Sequence, residues 1–182
     1  MEEVQKPIDW KNVIKEQYEE VLEHFSRPIR QEYETSNIPN GVYAERLSIR
    51  IEVSDGIHIE GSYWKHPRNS KSSKRPCLIY CHGMDENGGG NLLSVTPNLA
   101  ISFECGMDCF AYDARGAGKS EGQDVTYGWK EKEDLRMIIQ HLKREGTISH
   151  VFLWGIGSGA SVVIQYLHMV ENEAVGNTQI MW

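Results

Sequence analysis

No stretch of the sequence carries the roughly 18–20 consecutive apolar residues that a membrane-crossing helix needs. The start, Met1-Glu2-Glu3, has neither the basic nor the apolar segment of a secretory leader. A soluble, cytoplasmic protein is the expectation from these two absences. Cysteine is scarce, with four in 182 residues. Cys77, Cys81, Cys105 and Cys109 form two C-x3-C pairs, but they lie in apolar runs, not in the polar turns where metal knuckles form. They are expected to be buried, reduced thiols that pack as small hydrophobes. No metal and no cofactor is expected. Positive charge is also in deficit: 19 Lys and Arg stand against 26 Asp and Glu, a formal charge of −7. That balance opposes non-specific binding to nucleic acid or to an anionic membrane surface. There is no internal repeat and no low-complexity stretch.

What is present suffices for one compact domain, since 40% of the residues are hydrophobic. Residues 8–25 carry Trp10, Val13, Ile14, Tyr18, Val21, Leu22 and Phe25 at helical spacing, which predicts an amphipathic helix that packs on the main domain or, alternatively, binds a partner or caps a site. Pro28 and Pro39-Asn40-Gly41 close that region, so residues 1–40 read as helix and connector, and 41–182 as the main domain. Leu47 to Val53 and Ile57 to Trp64 alternate apolar and polar residues around Asp55-Gly56, which predicts an antiparallel pair. A polar, basic loop over 67–75 follows.

The character then changes. Cys77 to Cys81, Met107 to Tyr112 and Val151 to Trp154 are continuous apolar runs, the pattern of strands buried on both faces. Between and after them, 97–104, 129–144 and 158–170 read as helices. Strands alternating with helices predict a mostly parallel sheet of about five strands in a three-layer α/β sandwich.

Ligands of open α/β sheets bind beyond the carboxyl ends of the strands, and three motifs stand there. They are His82-Gly83-Met84 after the first run, Asp113-x-Arg115-Gly116-x-Gly118-x-Ser120 after the second, and Gly155-x-x-x-Gly159 after the third. In this order and spacing they resemble the α/β-hydrolase superfamily, in its serine-aminopeptidase and prolyl-oligopeptidase-like branch. The resemblance covers roughly residues 45–170 and stops after the elbow helix. It implies nucleophilic acyl transfer: an elbow serine attacks a carbonyl, a histidine takes its proton, and an acid orients the histidine. It also implies an oxyanion hole from the Met84 and Ser158 N–H groups. His82, Gly83, Asp113, Arg115, Gly116, Gly118, Ser120, Gly155 and Gly159 would then be structural.

The sequence departs from that family at the decisive place. The nucleophile position of the elbow is Gly157, which tolerates unusual backbone angles but has no side chain. Ser158 is the nearest hydroxyl. As a shifted nucleophile it would put Ile156 where the turn is most crowded, so the plainer expectation is that Ser158 begins the helix and caps its free N–H groups. The family's acid and base come from later strands, and the sequence ends at Trp182, so both are expected to be missing. Among the seven histidines only His82 lies at a motif, where the resemblance gives it a structural role. Arg115 is expected to pair with carboxylates and brace its loop. Asp85 and Glu86 read as an exposed acidic loop that could meet a cation.

The expectation is a hydrolase of the serine ester, amide or peptide type that is inactive or incomplete in this chain. It would take a small molecule or peptide if active, and could self-associate through the exposed edge of the last strand. Two alternatives stand beside it. One is a non-catalytic scaffold on the same fold. The other is a dinucleotide-binding module, because Gly155-x-Gly157-x-x-Ala160 also fits that fingerprint; the acidic strand end the fingerprint needs is absent.

Overall fold

A computed structural model describes residues 46–67, 74–84, 92–146 and 148–176. The predicted helix over 8–25, the connector up to residue 40, and the pair Asp85 and Glu86 lie outside these residues. The elements in chain order are β1 Arg46–Glu52, β2 His58–Trp64, β3 Arg75–Cys81, α1 Leu92–Glu104, β4 Asp108–Tyr112, α2 Glu131–Arg144, β5 Ile148–Gly155 and α3 Ser158–Gly176. The sheet has five strands in the order β1-β2-β4-β3-β5. β4, β3 and β5 run parallel to one another, while β2 pairs antiparallel with both β1 and β4.

Two helical layers cover the sheet. Successive strand residues point to opposite faces, so Ile79 and Cys81 pack with Phe110, Tyr112 and the α2 residues Leu135, Ile138 and Leu142, while Tyr80 packs with Trp64, Cys109, Ala111 and Leu99 of α1. α2 forms because Leu135, Ile138, Ile139 and Leu142 make one apolar stripe. Its first turn carries Glu131, Glu133 and Asp134 and its last turn His141, Lys143 and Arg144, both signs favoured by the helix dipole. The β1–β2 turn closes through the Val53 N–H to Ile57 carbonyl bond of 2.9 Å, with Gly56 at φ +73°.

Several expectations are corrected at this level. α1 begins at Leu92, five residues before Pro97, so that proline lies inside the helix and not at its start. α2 begins at Glu131; Trp129 precedes it in a turn, 71% exposed beneath the Lys132 ammonium. β5 reaches back to Ile148 through the polar pair Ser149-His150. It is not buried on both faces, because Phe152 and Trp154 are 52% and 42% exposed. They lie on the α1 side of the sheet, in register with Leu78 and Tyr80. All four cysteines are free, but only Cys77, Cys81 and Cys109 are buried. Cys105 falls in the turn after α1, where its thiol is exposed.

Candidate functional site

The three motifs converge at the carboxyl ends of β3, β4 and β5. Ile156 N–H donates to the Cys81 carbonyl at 3.1 Å, which extends the β3–β5 ladder by one step. Gly157 follows at φ +57°, and α3 starts at Ser158. Gly159 N–H then returns to the Ile156 carbonyl at 3.0 Å. The flanking glycines have no room for a side chain. A Cβ on Gly155 would stand 2.5 Å from the Gly159 carbonyl oxygen, and one on Gly159 would overlap the Cys81 carbonyl. At Gly157 the nearest atom to a Cβ would be the Gly83 Cα, at 3.6 Å, an ordinary contact.

The left-handed backbone angle belongs to position 157, and Ser158 already sits in the first turn of α3. Ser158 is half-buried, and among the described residues its hydroxyl makes no hydrogen bond. The expected capping bond from that hydroxyl is therefore not formed. The first helical residue cannot reach back over its own turn as a preceding cap residue does.

His82 is locked on both sides. Its Nε2 accepts the Ala114 N–H at 2.8 Å, which leaves the proton on Nδ1, donated to the Gly83 carbonyl at 2.5 Å. The ring is buried, and it joins the loop after β3 to the loop after β4. Met84 follows, half-buried. Among the described residues the N–H groups of Met84 and Ser158 have no hydrogen-bond partner.

The loop after β4 is explained residue by residue. The Asp113 carboxylate accepts the Lys119 N–H at 2.9 Å, and its carbonyl accepts the Ser120 hydroxyl at 2.5 Å. A Cβ on Gly118 would collide with that carboxylate. Ser120 Oγ in turn accepts the Glu60 N–H of β2 at 2.8 Å. Arg115 is buried and grips Asp134 of α2 with two bonds, Nε to Oδ2 at 2.7 Å and Nη2 to Oδ1 at 2.6 Å, and reaches Asp55 of the β1–β2 turn at 3.0 Å. Burial alone would lower the guanidinium, but the bonds and charges of Asp134 and Asp55 more than offset it and hold it above its ordinary value. Burial pushes the Asp134 carboxyl up while Arg115 pulls it back. Two bonds to two oxygens are the geometry of an ionised pair.

A cleft opens between these loops, lined by His82, Met84, Arg115, Tyr127, Glu131 and Ser158 among others. Three of its organising residues escaped the sequence reading. Buried Glu131 accepts the Thr126 and Gly128 N–H groups at 2.6 and 2.8 Å. Asp134 anchors Arg115, and Tyr127 adopts φ +52°. For the two acids a signal existed: each stands four residues before a stripe residue, Leu135 or Ile138, so each carboxylate falls on the apolar face of the helix and needs a buried partner.

A family model described as serine aminopeptidase, S33, matches residues 72–177. The chain belongs to that family. This S33 member is similar to the uncharacterized protein YqkD of Bacillus subtilis, 28% identical over 101 residues, which span 56% of this chain and 30% of YqkD. Its fold is similar to that of the Pyrococcus furiosus esterase Pf2001, with a TM-score of 0.65, 22% identity, and 80% of this chain covering 54% of the esterase. It is also similar to XC6422 from Xanthomonas campestris, described as an a/b serine hydrolase without lid, with a TM-score of 0.56, 21% identity, and 71% of this chain on 59% of that one. The S33 chain thus spans between about half and three fifths of those structures and under a third of YqkD. Among its described residues no helix is long and apolar enough to cross a membrane, and no cluster of His, Cys, Asp and Glu could hold a metal ion.

Proposed function

We propose that this chain is a serine hydrolase-type protein, of the ester, amide or peptide class, that binds a carbonyl-bearing ligand without turning it over. One observation carries the proposal: the apex of the elbow is Gly157, at φ +57°, between two glycines that admit no side chain. The family reaction needs a hydroxyl at that apex to attack the carbonyl. Ser158 lies past the apex, in α3. His82, the histidine that lines the cleft, has both ring nitrogens engaged. What remains are the N–H groups of Met84 and Ser158, which would hold a carbonyl or carboxylate oxygen. Such donors without a nucleophile leave at most about 10³–10⁴-fold over water even in an intact site.

The test is hydrolysis of p-nitrophenyl acetate by this chain and by Gly157→Ser. Neither should exceed a non-enzymatic protein control, because Gly157→Ser restores the hydroxyl while His82, the histidine lining the cleft, keeps both ring nitrogens engaged. Turnover by the native chain that disappears in Ser158→Ala would overturn the proposal.

A second reading concerns partners. β5 ends the sheet among the described residues, and Phe152 and Trp154 remain exposed on it. An apolar strand with an open edge invites pairing. We propose that a second copy of the chain pairs there, since a two-fold arrangement would cover both edges at once.

A further inference from the structure

The segment Thr126-Tyr127-Gly128 is not explained by the elbow or by the Arg115 network. Tyr127 has φ +52° and is the one non-glycine with a positive φ among the described residues. For a bulky side chain this is a genuine outlier, with a cost typical of strained functional positions. The surrounding structure enforces it from both sides. Toward α2, the N–H groups of Thr126 and Gly128 are both committed to the buried Glu131 carboxylate. Toward α3, the Tyr127 carbonyl accepts the Ser161 hydroxyl at 2.7 Å and an N–H of Gln165. Gly128 follows at φ +103°, where a Cβ would stand 2.5 Å from Gln165 Nε2. The carbonyl is thus pinned to α3, and the strain goes into the one residue that carries a large side chain.

The clamp holds that side chain over the cleft. Tyr127 lines the same cavity as Met84 and Ser158, it is 42% exposed, and its hydroxyl donates to the Met84 sulfur at 3.4 Å. A thioether is a weak acceptor. A ligand oxygen arriving between the Met84 and Ser158 N–H groups would be a far stronger one, and the hydroxyl already stands beside Met84. We infer that Tyr127 is a ligand-contacting residue of this site. Its hydroxyl moves from the Met84 sulfur to an oxygen of an acyl-type or phosphonate ligand, and its ring forms one wall of the binding cleft. This rests on the proposed use of the Met84 and Ser158 N–H groups. It adds a third donor, supplied by the loop before α2, that none of the three motifs contains.

The experiment is a titration of the 182-residue chain with butylphosphonate, followed by ¹H–¹⁵N amide shifts, in the native protein, Tyr127→Phe and Tyr127→Gly. The Met84 and Ser158 amides are expected to shift in both the native chain and Tyr127→Phe. Tyr127→Phe keeps the ring and the clamp, and should bind roughly tenfold more weakly, the loss of one hydrogen bond to a charged oxygen. Tyr127→Gly relieves the strained backbone, so it should melt no lower than the native chain while binding at least as weakly as Tyr127→Phe. Equal affinity in the native chain and Tyr127→Phe, with both amides responding, would overturn the role of Tyr127 and leave the two-amide site standing. Silence of both amides in the native chain would overturn the two-amide site and the role of Tyr127 with it.

Discussion

A Cβ built on Gly157 stands 3.6 Å from the Gly83 Cα and meets nothing closer. The turn after β5 therefore lacks a side chain at this position by composition and not by crowding. Gly157→Ser should fold, at a cost of about 1–2 kcal/mol for a side chain in the left-handed region. Gly159→Ala should be far worse, about 3 kcal/mol or more, because its methyl would overlap the Cys81 carbonyl, a backbone group in the β3–β5 ladder. Urea unfolding of the two variants measures both. Equal losses would mean that the elbow is not wound as described.

Breaking the Arg115–Asp134 pair should cost more than breaking the Arg115–Asp55 contact. Asp134→Ala leaves a buried guanidinium with only the exposed Asp55 beside it, and should cost about 3–5 kcal/mol. Asp55→Ala leaves the two-bond grip intact and should lower the thermal midpoint much less. A midpoint that responds equally to both changes would contradict the division of labour between them.

The pH dependence follows from two carboxylates held below their ordinary values. Glu121 is lowered first by the His58 N–H, at 2.8 Å, and then by the His58 ring and Arg50; Asp55 is lowered by the Arg115 bond and charge. A lowered carboxylate contributes stability above its unfolded value and loses it as pH falls through its folded one. Asp134 works the other way, because its raised carboxyl costs stability that builds up as the pH rises from its ordinary value through its folded one. Denaturant midpoints should therefore fall as the pH drops below about 4.5, the ordinary value for Glu121. Glu121→Gln should flatten the upper part of that fall. An unchanged profile in Glu121→Gln would remove the His58–Glu121 bond from the account.

Self-association through β5 is testable in solution. Sedimentation velocity should give a concentration-dependent dimer. Phe152→Lys with Trp154→Glu, which places charge on the open face of the strand, should shift it to monomer without lowering the thermal midpoint. A native chain that stays monomeric over the accessible concentration range would contradict the second-copy pairing.

The sheet, its order of elements and the three motifs were legible because their signals are local. Buried parallel strands are continuous apolar runs, and the glycines of the turns follow from backbone angles and close approach. Element ends were less legible. Pro97 looked like a helix start but lies within α1, and the polar Ser149-His150 hid the first half of β5. Within the site, Gly155 and Gly159 are each required by close approach, since a Cβ on either would collide with backbone. Glu131 and Asp134 were not singled out, although their spacing puts them on the apolar stripe of α2. Tyr127 carried no signal at all: its backbone angle is imposed by Glu131, Ser161 and Gln165, which no window around residue 127 contains.

The central claim, that the elbow of this S33-family chain holds no activated nucleophile, is tested most directly by labelling with a fluorophosphonate probe, which reacts with activated serines. Intact-protein mass spectrometry of the native chain should show no adduct at Ser158 or at any other serine. Stoichiometric labelling of Ser158, abolished by Ser158→Ala, would contradict the claim and make the first serine of α3 the nucleophile.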